Sequence, residues 1–237
     1  MALYYKRVGI IGALDEEVAA LISSITLLSN GEFLPETHEL NASYHFGKIK
    51  NQEVVVVRCG VGKVNSSICA QHLIDKYKVN AIISMGVAGG VSPAVKQNDV
   101  IISEVHLHHD MRGFGAPSII PMMENASTFK SNEGLVECAK RACEKAIEPG
   151  CWHVGLNVSG DEFVQSNEKR DWLYKTFGAL CCEMEGAGVA HTCAVNTLPF
   201  LGVRAISDSA NEQAISTFEE NKANAIKQLT AVVMGML

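Results

Sequence analysis

The sequence has no apolar run long enough to span a membrane, which takes about 18–20 residues. Its first residues reach Lys6 and Arg7 before any apolar stretch that would serve as a secretory leader. It also lacks an excess of basic residues, because 26 Asp and Glu outnumber 20 Lys and Arg and leave a net charge of −6. A protein that binds a nucleic-acid backbone needs a strongly basic face. We therefore expect neither a membrane protein nor a nucleic-acid binder.

The eight cysteines form no Cys-x-x-Cys pair, and most of them lie inside apolar segments. This pattern is typical of buried, reduced thiols rather than of a secreted disulfide framework. We therefore expect a cytoplasmic protein.

A metal motif of the His-Glu-x-x-His kind is also missing from the sequence. His106 and His108 would share one side of a strand, and Asp110 would supply a third ligand, so a metal site there stays open as an alternative. We favour histidines in a loop or in a subunit contact, and we expect no metal and no cofactor.

Apolar residues make up 47% of the chain and charged residues 19%, which predicts a globular protein with a substantial core. Short β-rich runs alternate with segments of helical spacing, from a strand at residues 7–13 to a terminal helix at 215–237. An antiparallel hairpin is predicted on both sides of residues 51–52. No repeat, low-complexity tract or Pro/Ser-rich linker divides the chain. The economical prediction is one α/β domain over residues 1–237.

Two apolar runs have acidic residues at their C-terminal ends. The first leads into Glu183 and Glu185, which would share one side of an extended segment, with Met184 on the other side. Two exposed acids at a strand end are the ordinary alternative for this pair. The second run ends on Ser207 and Asp208. Because two runs repeat the pattern, we expect a site at the rim of a mainly parallel sheet.

Two glycine turns follow apolar strands. The turn at residues 60–63, Gly-Val-Gly-Lys, matches neither a Walker phosphate loop nor the dinucleotide fingerprint. The turn at 86–90 either lets a ligand approach the backbone closely or makes a tight bend. The first helix begins with three acids, and the helix dipole accounts for Asp15 and Glu16. The role of Glu17 stays open from spacing alone.

Six motifs spread over nearly the whole chain resemble those of the nucleoside phosphorylase/nucleosidase superfamily. They lie at residues 9–18 (GIIGALDEEV), 60–64 (GVGKV), 86–90 (GVAGG), 159–163 (SGDEF), 183–187 (EMEGA) and 204–208 (RAISD). The acids after the first strand are similar to those of the 5′-methylthioadenosine/S-adenosylhomocysteine nucleosidases. The resemblance implies a nucleoside phosphorylase-like fold with three α/β/α layers around a central mixed β-sheet, usually assembled as a homodimer. It also implies hydrolysis of the N-glycosidic bond of these two nucleosides, and of 5′-deoxyadenosine as a further substrate.

Carried over by motif position, the resemblance implies two catalytic residues: Asp208 would protonate the imidazole-side ring nitrogen of adenine, and Glu17 would activate the attacking water. The implied substrate-binding residues are Val87, Ala88, Gly89, Phe163, Val164, Glu183, Met184, Glu185 and Ser207. Among them, Glu185 would hold the ribose hydroxyls, Met184 would lie beneath the sugar and Phe163 would stack on the purine. This arrangement requires the strand to break between Glu183 and Glu185, which leaves Glu183 a structural role and a pairing with Arg204.

The residue types suit this chemistry independently. Protonated adenine leaves far more easily than its anion, so Asp208 must hold a proton, and burial at a strand end would raise its pKa. Glu17 must remain ionised to take a proton from water, so we expect their environments to push the two pKa values apart. A phosphorylase would place arginine near the glycine turns, whereas here the first turn, after β-rich residues 7–13, carries Asp15, Glu16 and Glu17, and the turn at 86–90 has no basic residue. We therefore favour hydrolysis over phosphorolysis.

The segment at 109–116 resembles a loop that the partner subunit contributes in this family, and there Met111 and Phe114 would cover the 5′ substituent. It departs from the family pattern at Ala116, where an aromatic residue is usual, and at Arg112. A purine nucleoside phosphorylase and a 6-amino-6-deoxyfutalosine hydrolase remain alternatives. A non-catalytic nucleoside-binding protein is a third, although it would not need both catalytic acids.

Overall fold

The computed structural model describes residues 5–28, 34–111 and 128–237. Its strands are β1 (Arg7–Gly12), β2 (Glu36–Glu39), β3 (Ala42–Ile49), β4 (Gln52–Arg58), β5 (Ala81–Gly90), β6 (Val100–His108), β7 (Phe129–Lys130), β8 (Trp152–Ser159), β9 (Cys181–Glu183) and β10 (Phe200–Asp208). Its helices are α1 (Asp15–Ser23), α2 (Lys63–Asp75), α3 (Glu133–Ala146), α4 (Asn167–Phe177), α5 (Gly186–Val195) and α6 (Ala214–Met236). Strands and helices alternate along most of the chain, as the sequence predicts.

All of these strands belong to one mixed sheet. β1 pairs in parallel with β4 and β5, and the predicted hairpin of β3 and β4 is confirmed. β5 also pairs with β10 and with β9, while β6 and β8 connect β10 to β9, so these five strands form a closed ring. One end of this ring holds the strand ends that carry the predicted acids.

The site was predicted at the rim of a mainly parallel sheet, and the strand directions are wrong in that prediction, because β9 runs antiparallel to β5 while β10 runs parallel to it. The acidic ends of the two runs still lie close together. Because β9 is only three residues long, its last residue, Glu183, stays near the end of β5 although the strands are antiparallel. Gly89 of β5 pairs with Cys182 on one side and with Asp208 on the other. The site is therefore organised around the end of β5 rather than around a parallel rim.

Helices cover both faces of the sheet, which accounts for the continuous apolar runs in its central strands. In β4, Val54 and Val56 pack with α1, α3 and α6, whereas Val55 and Val57 face α2 and α5 on the opposite side. The predicted three-layer α/β/α arrangement around a mixed sheet is confirmed. Among the described helices, none combines the length and the apolar character that a membrane crossing requires.

Some local predictions differ from the structure. His106 and His108 both lie within β6, so the prediction of loop histidines is wrong for them. His106 is fully buried, and its ring packs edge-on against Phe200. Strands β2 and β7 were not expected, because the first is polar and the second has two residues. All eight cysteines are free, and Cys151 alone is exposed.

Candidate active site

A cavity of about 160 Å³ opens where β1, β5, β9 and β10 end. All of the residues that the sequence assigns to catalysis or to substrate binding line it. The full lining is Ala13, Leu14, Glu17, Val61, Val87, Ala88, Gly89, Glu162, Phe163, Val164, Cys182, Glu183, Met184, Glu185, Ser207, Asp208 and Phe218. Over the described part of the chain, this wall has five carboxylates and no lysine or arginine.

Glu17 lies in the first turn of α1 and is 2% exposed. Its Oε2 accepts hydrogen bonds from the backbone N–H groups of Ala13 (2.7 Å) and Leu14 (2.9 Å). Its Oε1 accepts one from Val87 in β5 (2.8 Å). Gly86 is required for this approach, because a Cβ there would lie 2.9 Å from Oε1. The first helix turn and the end of β5 therefore hold this carboxylate in one position.

Asp208 ends β10 and is also 2% exposed. The pairing of β10 with β5 shifts register between Ile206 and Asp208, so Ser207 occupies a β-bulge, which redirects the side chain that follows. Ser207 Oγ donates to Asp208 Oδ2 (2.9 Å), and the Ala210 N–H donates to Oδ1 (2.8 Å). These two hydrogen bonds hold the carboxyl group of Asp208 in one orientation.

Burial raises the pKa of Asp208, as expected for a proton donor. The expectation that the two environments push the pKa values apart is not met, because burial also raises the pKa of Glu17 against the lowering effect of its N–H partners. The two carboxyls differ in their partners instead. Three backbone N–H groups, which can only donate, favour the ionised form of Glu17, whereas Asp208 has one such partner, Ala210, and the Ser207 hydroxyl, which can donate or accept. A base with a raised pKa is also a stronger base near neutral pH.

Glu183 forms the predicted pair with Arg204, at 2.8 Å from Nη2, and both side chains are almost completely buried. Its Oε2 also accepts the N–H groups of Glu185 (3.0 Å) and Gly186 (2.7 Å), which caps the start of α5. Although burial opposes ionisation, the charge of Arg204 and these hydrogen bonds lower the pKa of Glu183 to about 2. Glu183 is therefore an ionised residue that holds the turn between β9 and α5.

Two buried polar residues of β8, Asn157 and Ser159, donate to the other oxygen of Glu183. Neither residue is among the site residues predicted from the sequence. Two polar residues that alternate with apolar ones at the end of a buried strand are the signal that marks them.

Glu185 follows the break in the strand, as predicted, and its Oε1 accepts the Gly62 N–H at 2.8 Å. Burial, together with the negative charge of Glu183, raises the pKa of Glu185 to about 8. Met184 lines the cavity between these two acids and carries no charge. The arrangement provides one ionised structural carboxylate and one carboxyl group that faces the cavity.

An aromatic pair lies at one side of the cavity. Phe163 is 40% exposed, and its ring centre lies 6.1 Å from that of Phe218 in an edge-to-face arrangement. From the sequence, Phe218 belongs to the apolar face of the terminal helix, and nothing in the local pattern distinguishes it. An exposed aromatic ring beside a cavity suits stacking on a flat heterocycle.

Met111 is exposed and does not line the cavity of its own chain, and Phe114 lies outside the described residues. The described residues contain no group of three or more His, Cys, Asp or Glu that would hold a metal ion. His108 instead packs edge-on against Phe129 and His191.

Comparison with known proteins decides the family. The model of the phosphorylase superfamily matches residues 7–237. The chain belongs to the phosphorylase superfamily. A 5′-methylthioadenosine/S-adenosylhomocysteine nucleosidase of Staphylococcus aureus is 38% identical to this superfamily member over 216 residues, which are 90% of either chain.

Solved structures of the superfamily confirm the nucleoside phosphorylase-like fold. The Neisseria meningitidis 5′-methylthioadenosine/S-adenosylhomocysteine nucleosidase, in complex with methylthio-immucillin-A, superimposes with a TM-score of 0.89 at 30% identity over 98% of both chains. The Helicobacter pylori futalosine hydrolase superimposes with a TM-score of 0.84 at 29% identity over 96% of this chain and 97% of its own.

Proposed function

We propose that the chain is an N-glycosidase that hydrolyses 5′-methylthioadenosine and S-adenosylhomocysteine to adenine and the 5-substituted ribose. The observation that carries this proposal is the cavity wall, where two buried carboxyls of raised pKa, Glu17 and Asp208, lie together with Glu185. The nucleosidase relatives from Staphylococcus aureus and Neisseria meningitidis support the same substrates. 5′-Deoxyadenosine is a further candidate substrate.

In this proposal the adenine stacks on Phe163, and the backbone of Val164 reads its edge. Asp208 gives its proton to the imidazole-side nitrogen of the base, so that adenine leaves with the electron pair of the glycosidic bond as a neutral molecule. Glu17 takes a proton from water as the water oxygen bonds to the anomeric carbon. Both catalytic carboxyls then exchange one proton with solvent, and the balance of the reaction is one water consumed.

The sugar is held by the remaining residues of the cavity. Glu185 accepts hydrogen bonds from the ribose hydroxyls, and Met184 presents a polarizable, uncharged surface to the cationic sugar that develops in the transition state. The backbone at 87–89 lines the space between the base and the ribose. Phosphate has no cationic partner in the described wall, which favours water as the nucleophile.

The test is to incubate the protein with methylthioadenosine in phosphate-free buffer and to follow the release of free adenine. Asp208→Asn and Glu17→Gln are each expected to lower turnover by at least ~100-fold, the scale of general acid–base catalysis. Glu16→Gln is the matched control, because this neighbouring carboxylate pairs with Lys222 and does not line the cavity. Strict dependence on added phosphate would show that the enzyme is a phosphorylase.

A 6-amino-6-deoxyfutalosine hydrolase activity is the second candidate, and the similarity to the Helicobacter pylori futalosine hydrolase favours testing it. It would use the same acids and differ only in the group at the 5′ position. Parallel assays with methylthioadenosine, S-adenosylhomocysteine and the futalosine analogue rank the substrates directly.

We also propose that the chain forms a homodimer, in which Met111 and Phe114 reach the cavity of the partner. Exposed apolar side chains near the start of α2 support this assembly: Val61 is 47% exposed and lines the cavity, and Val64 is 67% exposed. Sedimentation of the protein tests the proposal, and a monomer at micromolar concentration would contradict it. The cytoplasmic location stays a prediction.

A further inference from the structure

The role proposed for the cavity does not account for Lys63, the lysine of the Gly-Val-Gly-Lys turn. Lys63 does not line the cavity. Its Nζ lies 2.5 Å from Asp110 Oδ1 and 3.9 Å from Asp161 Oδ2, and its side chain is only 15% exposed. Asp110 follows the end of β6, and Asp161 lies in the loop between β8 and α4. The ammonium group therefore joins three segments that are far apart in the sequence.

Hydrogen bonds from backbone N–H groups connect the same three segments. The N–H of Lys63 donates to Asp161 Oδ1 (2.8 Å), so the side chain of a distant loop caps α2. The N–H of Asp161 donates to Asp110 Oδ2 (3.0 Å). Burial opposes ionisation of Asp110, but the hydrogen bonds from Lys63 and from the Asp161 N–H keep its pKa below the usual range. We call these three residues, Lys63, Asp110 and Asp161, the clasp.

Each side of the clasp leads directly to a part of the cavity. On one side, Gly62 precedes Lys63 and donates its N–H to Glu185 Oε1 (2.8 Å), while Ser66 Oγ donates to the Glu185 carbonyl (3.1 Å). On the other side, Asp161 lies two residues before the exposed ring of Phe163. The clasp therefore connects Glu185, which is proposed to bind the ribose hydroxyls, with Phe163, which is proposed to stack on the base.

We propose that Lys63 is a positioning residue, and that the clasp fixes the Gly62–Glu185 contact in position relative to the loop that carries Phe163. This inference rests on the proposed function, because it assigns Glu185 to the ribose hydroxyls. The clasp carboxylates are 33% and 49% exposed, and partly exposed ion pairs add little to global stability. Its removal is therefore expected to change ribose recognition more than folding.

The experiment compares Lys63→Met with the wild type on two nucleosides, methylthioadenosine and its 2′,3′-dideoxy analogue. If Lys63 acts through Glu185, the variant loses about 10- to 100-fold in kcat/KM on methylthioadenosine, the range expected for a misplaced charged hydrogen bond. On the analogue, which has no hydroxyls for Glu185, the loss is expected to stay below about 3-fold. Lys63→Arg, which keeps the charge, is expected to recover part of the activity.

Lys169→Met is the matched control, because Lys169 is also partly buried and pairs with Glu162 of the same loop at 2.8 Å, but does not contact α2. It is expected to affect both nucleosides equally. Thermal unfolding of Lys63→Met within about 4 °C of the wild type shows that the fold is intact. If this variant does not fold, Asp110→Asn weakens the same contact while retaining the side-chain shape.

Equal losses on the two nucleosides, or no loss on methylthioadenosine, would overturn the inference. Calorimetric binding of the same two nucleosides is also measured in the slow Asp208→Asn background, with and without Lys63→Met. This measurement distinguishes failure of the inference from failure of the proposed function. A wild type that does not cleave methylthioadenosine refutes the proposed function alone. The binding comparison then decides on the clasp, since a hydroxyl-dependent loss of affinity supports it and a hydroxyl-independent one rejects it.

Discussion

Replacing Glu183 by glutamine removes a buried negative charge and nearly preserves the shape of the side chain. In the wild type, Arg204 is 1% exposed and its Nη2 and Nε lie 2.8 and 3.2 Å from Glu183 Oε2. The same oxygen accepts the N–H groups that begin α5. The variant Glu183→Gln leaves the guanidinium without its anionic partner and places an NH₂ group among donors. It therefore perturbs both a buried charge and a helix cap.

Two estimates of the cost agree. Removing one partner of a buried ion pair costs about 3–5 kcal/mol. A pKa of about 2 for Glu183, against about 4.3 for an unperturbed glutamate, corresponds to about 3 kcal/mol of stability that depends on its charge. We expect Glu183→Gln to lower the free energy of unfolding by about 3 kcal/mol at pH 7.

Equilibrium urea unfolding followed by circular dichroism measures this change, which should appear as a lower midpoint with an unchanged slope. Because the pKa of Glu183 is lower in the folded than in the unfolded state, its contribution is present above about pH 4.3 and is lost as the pH falls toward 2. The difference between wild type and variant should shrink over that range. The matched control is Glu137→Gln, whose exposed carboxylate pairs with Lys140 and whose loss should leave the midpoint unchanged. A variant within about 1 kcal/mol of the wild type at pH 7 would refute the reasoning.

Three further predictions concern the cavity. Ser207→Ala removes a hydrogen bond to the ionised form of Asp208, so the alkaline limb of kcat/KM should move to higher pH, and an unchanged limb would contradict this role. Affinity for methylthioadenosine, measured by calorimetry in the slow Asp208→Asn background, should strengthen from about pH 6 to 8 as Glu185 ionises, since its pKa is about 8, whereas Glu185→Gln in the same background should show no such slope. Gly86→Ala places a Cβ 2.9 Å from Glu17 Oε1 and should lower kcat by about 10-fold or more without unfolding the protein; wild-type kcat would show that the carboxylate can move freely.

The layers of the fold could be predicted because burial on both sides of the central strands requires continuous apolar runs. Val54 to Val57 in β4 serve both layers, and no polar alternation interrupts them. Strand β2, Glu-Thr-His-Glu, has no such pattern, since it lies at the edge of the described sheet, where it pairs with β3. The direction of β9 relative to its neighbours could not be predicted either, because the sequence of a three-residue strand does not indicate which strands it will pair with.

The site residues were identified from motifs, but their physical states depend on contacts between distant segments. Nothing within residues 180–191 indicates that the charge of Arg204 lowers one pKa while the Gly62 N–H faces the other acid. The bulge at Ser207 depends on the register of β10 against β5, which no local spacing reveals. Phe218 reaches the cavity from a helix whose buried apolar residues, such as Leu229 and Val233, belong to the core.

The charges in the cavity wall argue for hydrolysis more strongly than any single residue does. Glu183 is neutralised by Arg204, and three backbone N–H groups at the start of α1 and the end of β5 hold Glu17. Burial raises the pKa values of Glu17, Glu185 and Asp208, which limits how many of these carboxyls are ionised at once. The described wall has no lysine or arginine, so any ionised carboxylate there makes the potential of the cavity negative. Such a potential stabilises an oxocarbenium-like sugar and repels a phosphate dianion, so the same carboxylates that promote departure of adenine also select water as the nucleophile.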